Sequence, residues 1–158
     1  MITLATHVHI RWMIQRDLDE VLAIENESYQ RPWIKEDFLI CLRQRNCIGM
    51  VAENCNEVIG YALYELHPYR LQLLNIAVDP YYTRQGVGKK IIHKLIDKLS
   101  SHRRGKITLD VRESNLAAQC FFRSLGFIAF SVVRKYYENT GEDAYCMAYN
   151  LPKSARRP

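Results

Sequence analysis

The sequence has no apolar run approaching the roughly 18 residues that a membrane-spanning helix needs. Its opening, MITLATHVHIRW, has neither a basic leader nor a long apolar core. No signal peptide or membrane association is therefore expected, and a cytoplasmic location is. Cysteine is sparse and badly placed for a scaffold: Cys41, Cys47, Cys55, Cys120 and Cys146 are five in number, with no C-x-x-C pair. That argues against a disulfide framework or zinc knuckle and for a reducing compartment. His7, His9, His67, His93 and His102 show no ligand spacing, so no metal is expected. Internal repeats and low-complexity linkers are absent as well, which excludes solenoid and linker-rich architectures.

What remains is the composition of an ordinary globular protein, 48% apolar and 25% charged over 158 residues. That length predicts one domain, residues 1–151, followed by a basic, proline-bounded tail at 152–158 expected to be disordered. Lys and Arg exceed Asp and Glu by 22 to 17, a formal net charge of +5. An excess of this size suits an anionic ligand or partner surface, and equally suits plain solubility. A monomer or weak homodimer is expected.

The hydrophobic pattern orders the elements. HVHIRWMI alternates apolar and polar and reads as a first strand. Asp17, with Glu20 three residues on, reads as the cap of a helix carrying Leu18, Val21, Leu22 and Ile24. Pro32 suits the first turn of a second helix through Phe38, Leu39 and Leu42. CIGMVAE and EVIGYALYEL, separated by NCN, read as a hairpin, and LQLLNIAV as a central strand buried on both faces. Val87, Ile91, Ile92, Leu95, Ile96 and Leu99 form one helical stripe. KITLDV is a strand, and Asn115 or Ser114 caps a short helix closed by Gly126. FIAFSVVRKYY and DAYCMAYNL are the last strands, joined at ENTG. The order β-α-α-β-β-β-α-β-α-β-β predicts a mixed α/β sheet with helices on both faces.

The stretch LLNIAVDPYYTRQGVGKK, residues 73–90, carries the chemistry. An apolar run stops at an Asp-Pro turn, two tyrosines follow, and a glycine loop opens a helix, a common way to hold an anion against backbone amides. A Walker loop fails twice, because its first glycine would fall at Thr83 and Lys90 stands where Ser or Thr is needed. A dinucleotide fingerprint is met by Gly86 and Gly88 but broken by Ile91, so Asp110 as a ribose partner is a decoy. The pyrophosphate pattern [QR]-x-x-G-x-[GA] fits best, with T-R-Q-G-V-G at 83–88. Gly86 and Gly88 let successive N–H groups converge on phosphate oxygens, and Lys89 and Lys90 add positive charge at the same helix end.

Three ordered segments, LNIAVDPYYTRQGVGKKIIHKLID, VRESNLAAQCFFRSLGF and RKYYENTGEDAYCMAYNL, resemble the GCN5-related N-acetyltransferase (GNAT) family. Within it they resemble the ribosomal-protein-alanine N-acetyltransferases. The resemblance runs from about Arg11 to Leu151 and is strongest over 74–149. It implies a twisted, mostly antiparallel sheet of about seven strands, splayed between the fourth and fifth. It also implies acetyl-CoA as cosubstrate and direct acetyl transfer to the N-terminal amine of a protein, such as the N-terminal alanine of a small-subunit ribosomal protein. The backbone of Ile76, Ala77 and Val78 would face the pantetheine arm and acetyl group, with the Val78 N–H polarising the thioester carbonyl. Arg84, Gln85, Gly86, Val87, Gly88 and Lys89 would hold the diphosphate, and Asn115 the pantetheine, with Phe122 also on the cofactor side. The loop from Tyr29 to Trp33 and the hairpin bearing Tyr136 and Tyr137 would bind the acceptor peptide.

The sequence departs from the family in two ways. Thr83 replaces Gln or Arg at the first loop position, a small matter where backbone amides bind. The catalytic pair departs further: the family's glutamate base and tyrosine acid correspond here to Asp110 and Phe122. Asp retracts the carboxylate by roughly one C–C bond, about 1.5 Å, which could cost about a hundredfold if the contact is direct. Phe122 donates no proton, so Tyr137, before Tyr136, is the candidate acid. A thiol of pKa ~8.5 leaves tolerably unaided, so the base is harder to dispense with than the acid. Alternatives are acetylation of a small-molecule amine or a lysine, and a non-catalytic CoA-binding module, which Phe122 would suit. Direct nucleic-acid binding has only net charge and the tail behind it, and is not expected.

Overall fold

The strand and helix order expected from the pattern is the order found. The computed structural model describes residues 7–152. The strands are β1 (His9–Trp12), β2 (Cys47–Asn54), β3 (Glu57–Leu66), β4 (Arg70–Val78), β5 (Lys106–Arg112), β6 (Ile128–Tyr137) and β7 (Glu142–Asn150). The helices are α1 (Leu18–Ser28), α2 (Lys35–Leu42), α3 (Val87–Ile96) and α4 (Leu116–Ser124), with single 3-10 turns at Gln15–Asp17 and Pro80–Tyr82. Seven strands hydrogen-bond in the order β1-β2-β3-β4-β5-β7-β6, mostly antiparallel, with β4 and β5 parallel. Among the described residues no helix is long and apolar enough to cross a membrane. The tail expected at 152–158 lies outside the described residues beyond Pro152.

The chain packs as two compact units, the first made of the described residues through Leu66 together with Leu73–Lys98. Its hairpin turns through Cys55 (φ 50°) and Asn56 (φ 68°), two successive left-handed residues whose twist matches the flanking strands β2 and β3. Helices cover both faces of β3, and residue size decides which goes where. Tyr61 and Leu63 pack with Leu18, Val21 and Ile24 of α1 and Phe38 of α2. Gly60 points the other way, where an added Cβ would stand 3.3 Å from Ile91 Cδ1 and 3.4 Å from Val87 Cγ1 of α3. The α3 stripe thus seats Val87, Ile91, Ile92 and Leu95 out of water, each such side chain contributing roughly 1.5–3 kcal/mol.

Three local expectations are corrected. Asp17 precedes α1 but does not cap it. Its carboxylate accepts from Ile14 N at 2.8 Å and from both Nη1 and Nη2 of Arg11 at 2.8 Å, because a bidentate charged partner outcompetes a helix amide. Glu20 likewise turns away, accepting from Val58 N at 2.9 Å. Pro32 lies in the loop before α2, whose end is held by Ile34 N donating to Asp37 Oδ2 at 2.9 Å. Finally, β4 alternates rather than being buried on both faces: Leu71, Leu73, Asn75 and Ala77 are buried while their neighbours are half-exposed.

The second unit comprises His67–Gln72 and the residues from Leu99 onward. Here Arg70, Leu71 and Gln72 pair with Lys106, Ile107 and Thr108, and the β4–β5 ladder stops there although β4 runs on to Val78. β5 pairs along its whole length with β7, and β7 with β6. Asn115 caps α4, its Oδ1 accepting from Ala118 N at 3.1 Å. Gly126 ends that segment at φ 96°, so the chain reverses where a side chain would strain it and press on the Tyr149 ring. Phe122 then meets Phe127 edge to ring, and the half-buried Tyr149 ring lies tilted against Phe127.

Candidate active site

The loop that the sequence singled out opens α3 on left-handed, uncapped backbone. Arg84 (φ 59°) and Gly86 (φ 86°) both take left-handed backbone, and Gly86 is the N-cap of α3. No side chain caps that end, and the first return bond is Lys90 N to Gly86 O at 3.0 Å. The amides of Val87, Gly88 and Lys89 accordingly have no helical acceptor, and the helix dipole places partial positive charge on them. Arg84, Gln85 and Lys89 are exposed around this loop. The loop is braced from behind: Asp79 Oδ1 accepts from Tyr81 N at 2.9 Å, and Asp79 N donates to Ile59 O at 2.8 Å.

Of two candidate substrate residues, Tyr29 reaches the strand that carries Ile76, Ala77 and Val78, while Trp33 is held by Glu25 and Phe38. The Tyr29 hydroxyl donates to Ile76 O. Tyr29 shows 36% of its surface, yet its hydroxyl end is desolvated. That desolvation, and after it the charge of Glu25, pushes the phenol pKa up. Trp33 packs edge-on to Phe38 at 5.2 Å, and its N–H donates to Glu25 Oε2 at 2.9 Å.

In the second unit Asp110 and Tyr137 come close enough to feel one another. Burial raises the Tyr137 pKa, Arg112 opposes the rise, and Asp110 and Tyr136 add to it. The phenol therefore keeps its proton at neutral pH, as a proton donor must. Asp110 is exposed at the outer part of β5 and pairs across the ladder with Cys146. The thiol is pushed up to about 11 by burial and then by its hydrogen bond to Asp110, so at neutral pH it donates to that carboxylate. Tyr136 is 51% exposed beside Tyr137, with ring centroids 5.0 Å apart. Asn115 is exposed, and its amide NH₂ keeps donors available after Oδ1 has capped α4. Phe122 is only 5% exposed, its ring 5.3 Å from Phe127.

Four residues escaped the sequence reading. Arg112 stacks on the Tyr137 ring and bonds Thr140 Oγ1 at 3.1 Å and Glu142 Oε2 at 3.2 Å, fastening the last hairpin. Cys146 is legible only through its cross-strand partner. Glu25 and Asn75 are buried polar groups, at 1% and 8% exposure. Glu25 had a signal: it falls four residues after Val21, on the apolar stripe of α1, where a carboxylate needs partners. Among the described residues no group of His, Cys, Asp and Glu is arranged to hold a metal.

Comparison with known proteins places this architecture. The profile of the acetyltransferase (GNAT) family matches residues 11–127. The [ribosomal protein bS18]-alanine N-acetyltransferase of Escherichia coli (strain K12) is 34% identical over 134 residues, covering 84% of this chain and 90% of the relative. The enzyme of the same description from Haemophilus ducreyi is 28% identical over 145 residues, 90% of this chain and 99% of that one. Among solved structures, the ribosomal-protein-S18-alanine N-acetyltransferase from Escherichia coli superposes with TM-score 0.82 at 30% identity, over 91% of this chain and 94% of that one. Ard1 from Thermoplasma volcanium shares the fold, with TM-score 0.83 at 22% identity over 93% and 99% of the two chains.

Proposed function

The chain belongs to the acetyltransferase (GNAT) family, and from that premise we propose that it is a protein Nα-acetyltransferase whose acceptor is an N-terminal alanine such as that of ribosomal protein bS18. The relatives bearing that description match across most of this chain. The single observation that carries the reading is α3 opening on Gly86 at φ 86° with no side-chain cap, an end shaped for a diphosphate. Acetyl-CoA is the acetyl donor of this proposal, acting in one catalytic domain over residues 1–151 in the cytosol.

Bound acetyl-CoA supplies the acetyl group as a thioester. Amides from Arg84 to Lys89 bind its diphosphate, and the backbone of Ile76, Ala77 and Val78 lines the acyl arm. The Val78 N–H stabilises negative charge on the carbonyl oxygen during attack. Asn115 donates to the pantetheine, and Phe122 backs the same side. Tyr29, Trp33, Tyr136 and Tyr137 hold the first residues of the acceptor. Asp110 takes the proton of the attacking amine, directly or through a water, because an amine of pKa near 8 must be neutral to attack. Tyr137 returns a proton to the departing sulfur. Each transfer is worth about 10²–10⁴-fold.

Transfer of radiolabelled acetyl to an N-terminal peptide library tests this directly. Label on alanine-initiated peptides, led by the bS18 N-terminus, is the expected result. Acetyl-CoA uptake by calorimetry without transfer to any peptide or amine would replace the proposal with a non-catalytic CoA-binding module. Transfer confined to free amines or lysine side chains would reassign the acceptor.

A further inference from the structure

Glu25 is the buried charge that the acyl-transfer chemistry leaves unused. Its side chain lies within an otherwise apolar stripe of α1 and is 1% exposed. Among the described residues it has no ion pair. It is compensated instead by three neutral donors from three other places in the chain: Asn75 Nδ2 of β4 at 2.7 Å on Oε1, the Tyr61 hydroxyl of β3 on Oε1, and Trp33 N–H of the loop before α2 at 2.9 Å on Oε2. An ionised carboxylate out of water is tolerated only when its lone pairs are taken up in this way.

The partners are not an arbitrary set. Asn75 immediately precedes the Ile76–Val78 backbone assigned above to the acyl arm, and Trp33 belongs to the loop assigned to the acceptor. The loop is tied to β4 a second time by the Tyr29 hydroxyl on Ile76 O. Its Trp33 ring sits 5.2 Å from Phe38, which in turn sits 5.9 Å from Tyr61. The aromatic file and the carboxylate thus clamp the same loop from two sides.

We propose that Glu25 is a positioning residue which locks the acceptor loop, residues 29–33, to the donor strand β4 and so sets where the acceptor amine meets the thioester. The inference rests on the reading of 29–33 as the acceptor loop. It assigns Glu25 no contact with substrate and no proton transfer. A carboxylate suits the task better than an amide because both of its oxygens accept. A glutamine in its place would keep one acceptor for Tyr61 and Asn75, while turning an NH₂ group toward the Trp33 N–H, donor against donor.

That asymmetry makes Glu25→Gln the informative variant. Expected are a peptide KM raised about tenfold or more, an acetyl-CoA Kd within twofold of wild type by calorimetry, and a cooperative thermal transition. A Tm that falls while the peptide KM stays put would overturn the inference, leaving Glu25 a purely structural residue. Should the variant fail to fold, amide hydrogen exchange on the wild-type chain decides. The Trp33 amide must exchange at least tenfold more slowly than those of Gln30 and Arg31 in the same exposed loop, and equal rates would overturn the lock. Wild-type activity separates the two failures: a chain that acetylates no peptide sinks the functional reading, whereas an active wild type with an indifferent Glu25→Gln sinks this inference alone.

Discussion

The guanidinium carbon of Arg112 lies 3.8 Å from the centroid of the Tyr137 ring. A cation on that face of the ring anchors the last hairpin without engaging the phenol hydroxyl, the acid of the proposed reaction. Arg112→Gln should cost about 0.5–1 kcal/mol of stability from the lost cation–π contact, read as a shifted urea midpoint. Tyr137→Phe keeps the ring on its cation and removes only the hydroxyl, so stability should hardly move while turnover falls. A loss below about threefold would remove Tyr137 as the acid, since a productive proton donor is worth 10²–10⁴-fold.

In the proposed reaction Asp110 is the base, and the base is harder to dispense with than the acid. Asp110→Asn should lower kcat by about a hundredfold or more, with acetyl-CoA binding intact by calorimetry. Release of CoA thiol, followed continuously, measures it. Near-normal turnover in the asparagine variant would assign proton removal to solvent.

Cys146 reports on the same carboxylate. Its thiol is pushed up to about 11 by burial and then by the Asp110 hydrogen bond, so thiolate is much scarcer at neutral pH than for an exposed cysteine. Alkylation by iodoacetamide at about pH 8, followed by mass spectrometry, should label the exposed Cys55 and Cys120 first and Cys146 at least about tenfold later. Burial is the larger cause and the Asp110 hydrogen bond the next, so Asp110→Asn should accelerate Cys146 without making it as fast as Cys55.

Gly86→Asp tests the proposed diphosphate site. At φ 86° any side chain strains the backbone, and a carboxylate there repels a diphosphate at close range. Acetyl-CoA affinity should fall at least about a hundredfold, with the helix largely kept because α3 is fixed by its buried stripe. Unchanged affinity would show that the diphosphate lies elsewhere.

Acid stability should trace to Asp17. Its bidentate bond from Arg11 lowers its carboxyl pKa below 3.8, against opposition from burial. A carboxyl depressed by folding stabilises the protein above its unfolded pKa, and that contribution is lost as the pH drops through the folded value. Asp17→Asn should therefore cost about 1.5–3 kcal/mol at neutral pH, and the gap to wild type should narrow as the pH falls below the ordinary aspartate value of 3.8. Urea denaturation at neutral and at acid pH measures both effects.

Much of this molecule was legible because its signals are local. The amphipathic stripe from Val87 to Leu95, the Asn115 cap and the glycine after α4 each depend on spacing within one turn or two. The glycine loop at 83–88 was readable as a helix start for the same reason, since a left-handed glycine ahead of a helix acts through its own backbone. Asp17 marks the limit of such reading: the right residue stood at the right place, but a guanidinium six positions away claimed its carboxylate.

The amino-acid order thus determined by itself the succession of strands and helices and the glycine loop that opens α3, while Asp110 and Tyr137 became candidates through the family resemblance. Tertiary structure alone decided the rest. It set Arg112 on Tyr137, placed Cys146 opposite Asp110, and gathered Trp33, Tyr61 and Asn75 around Glu25. Those groups are separated by up to 50 positions in the chain. Such contacts follow from strand register and side-chain packing, which no periodicity in the sequence encodes.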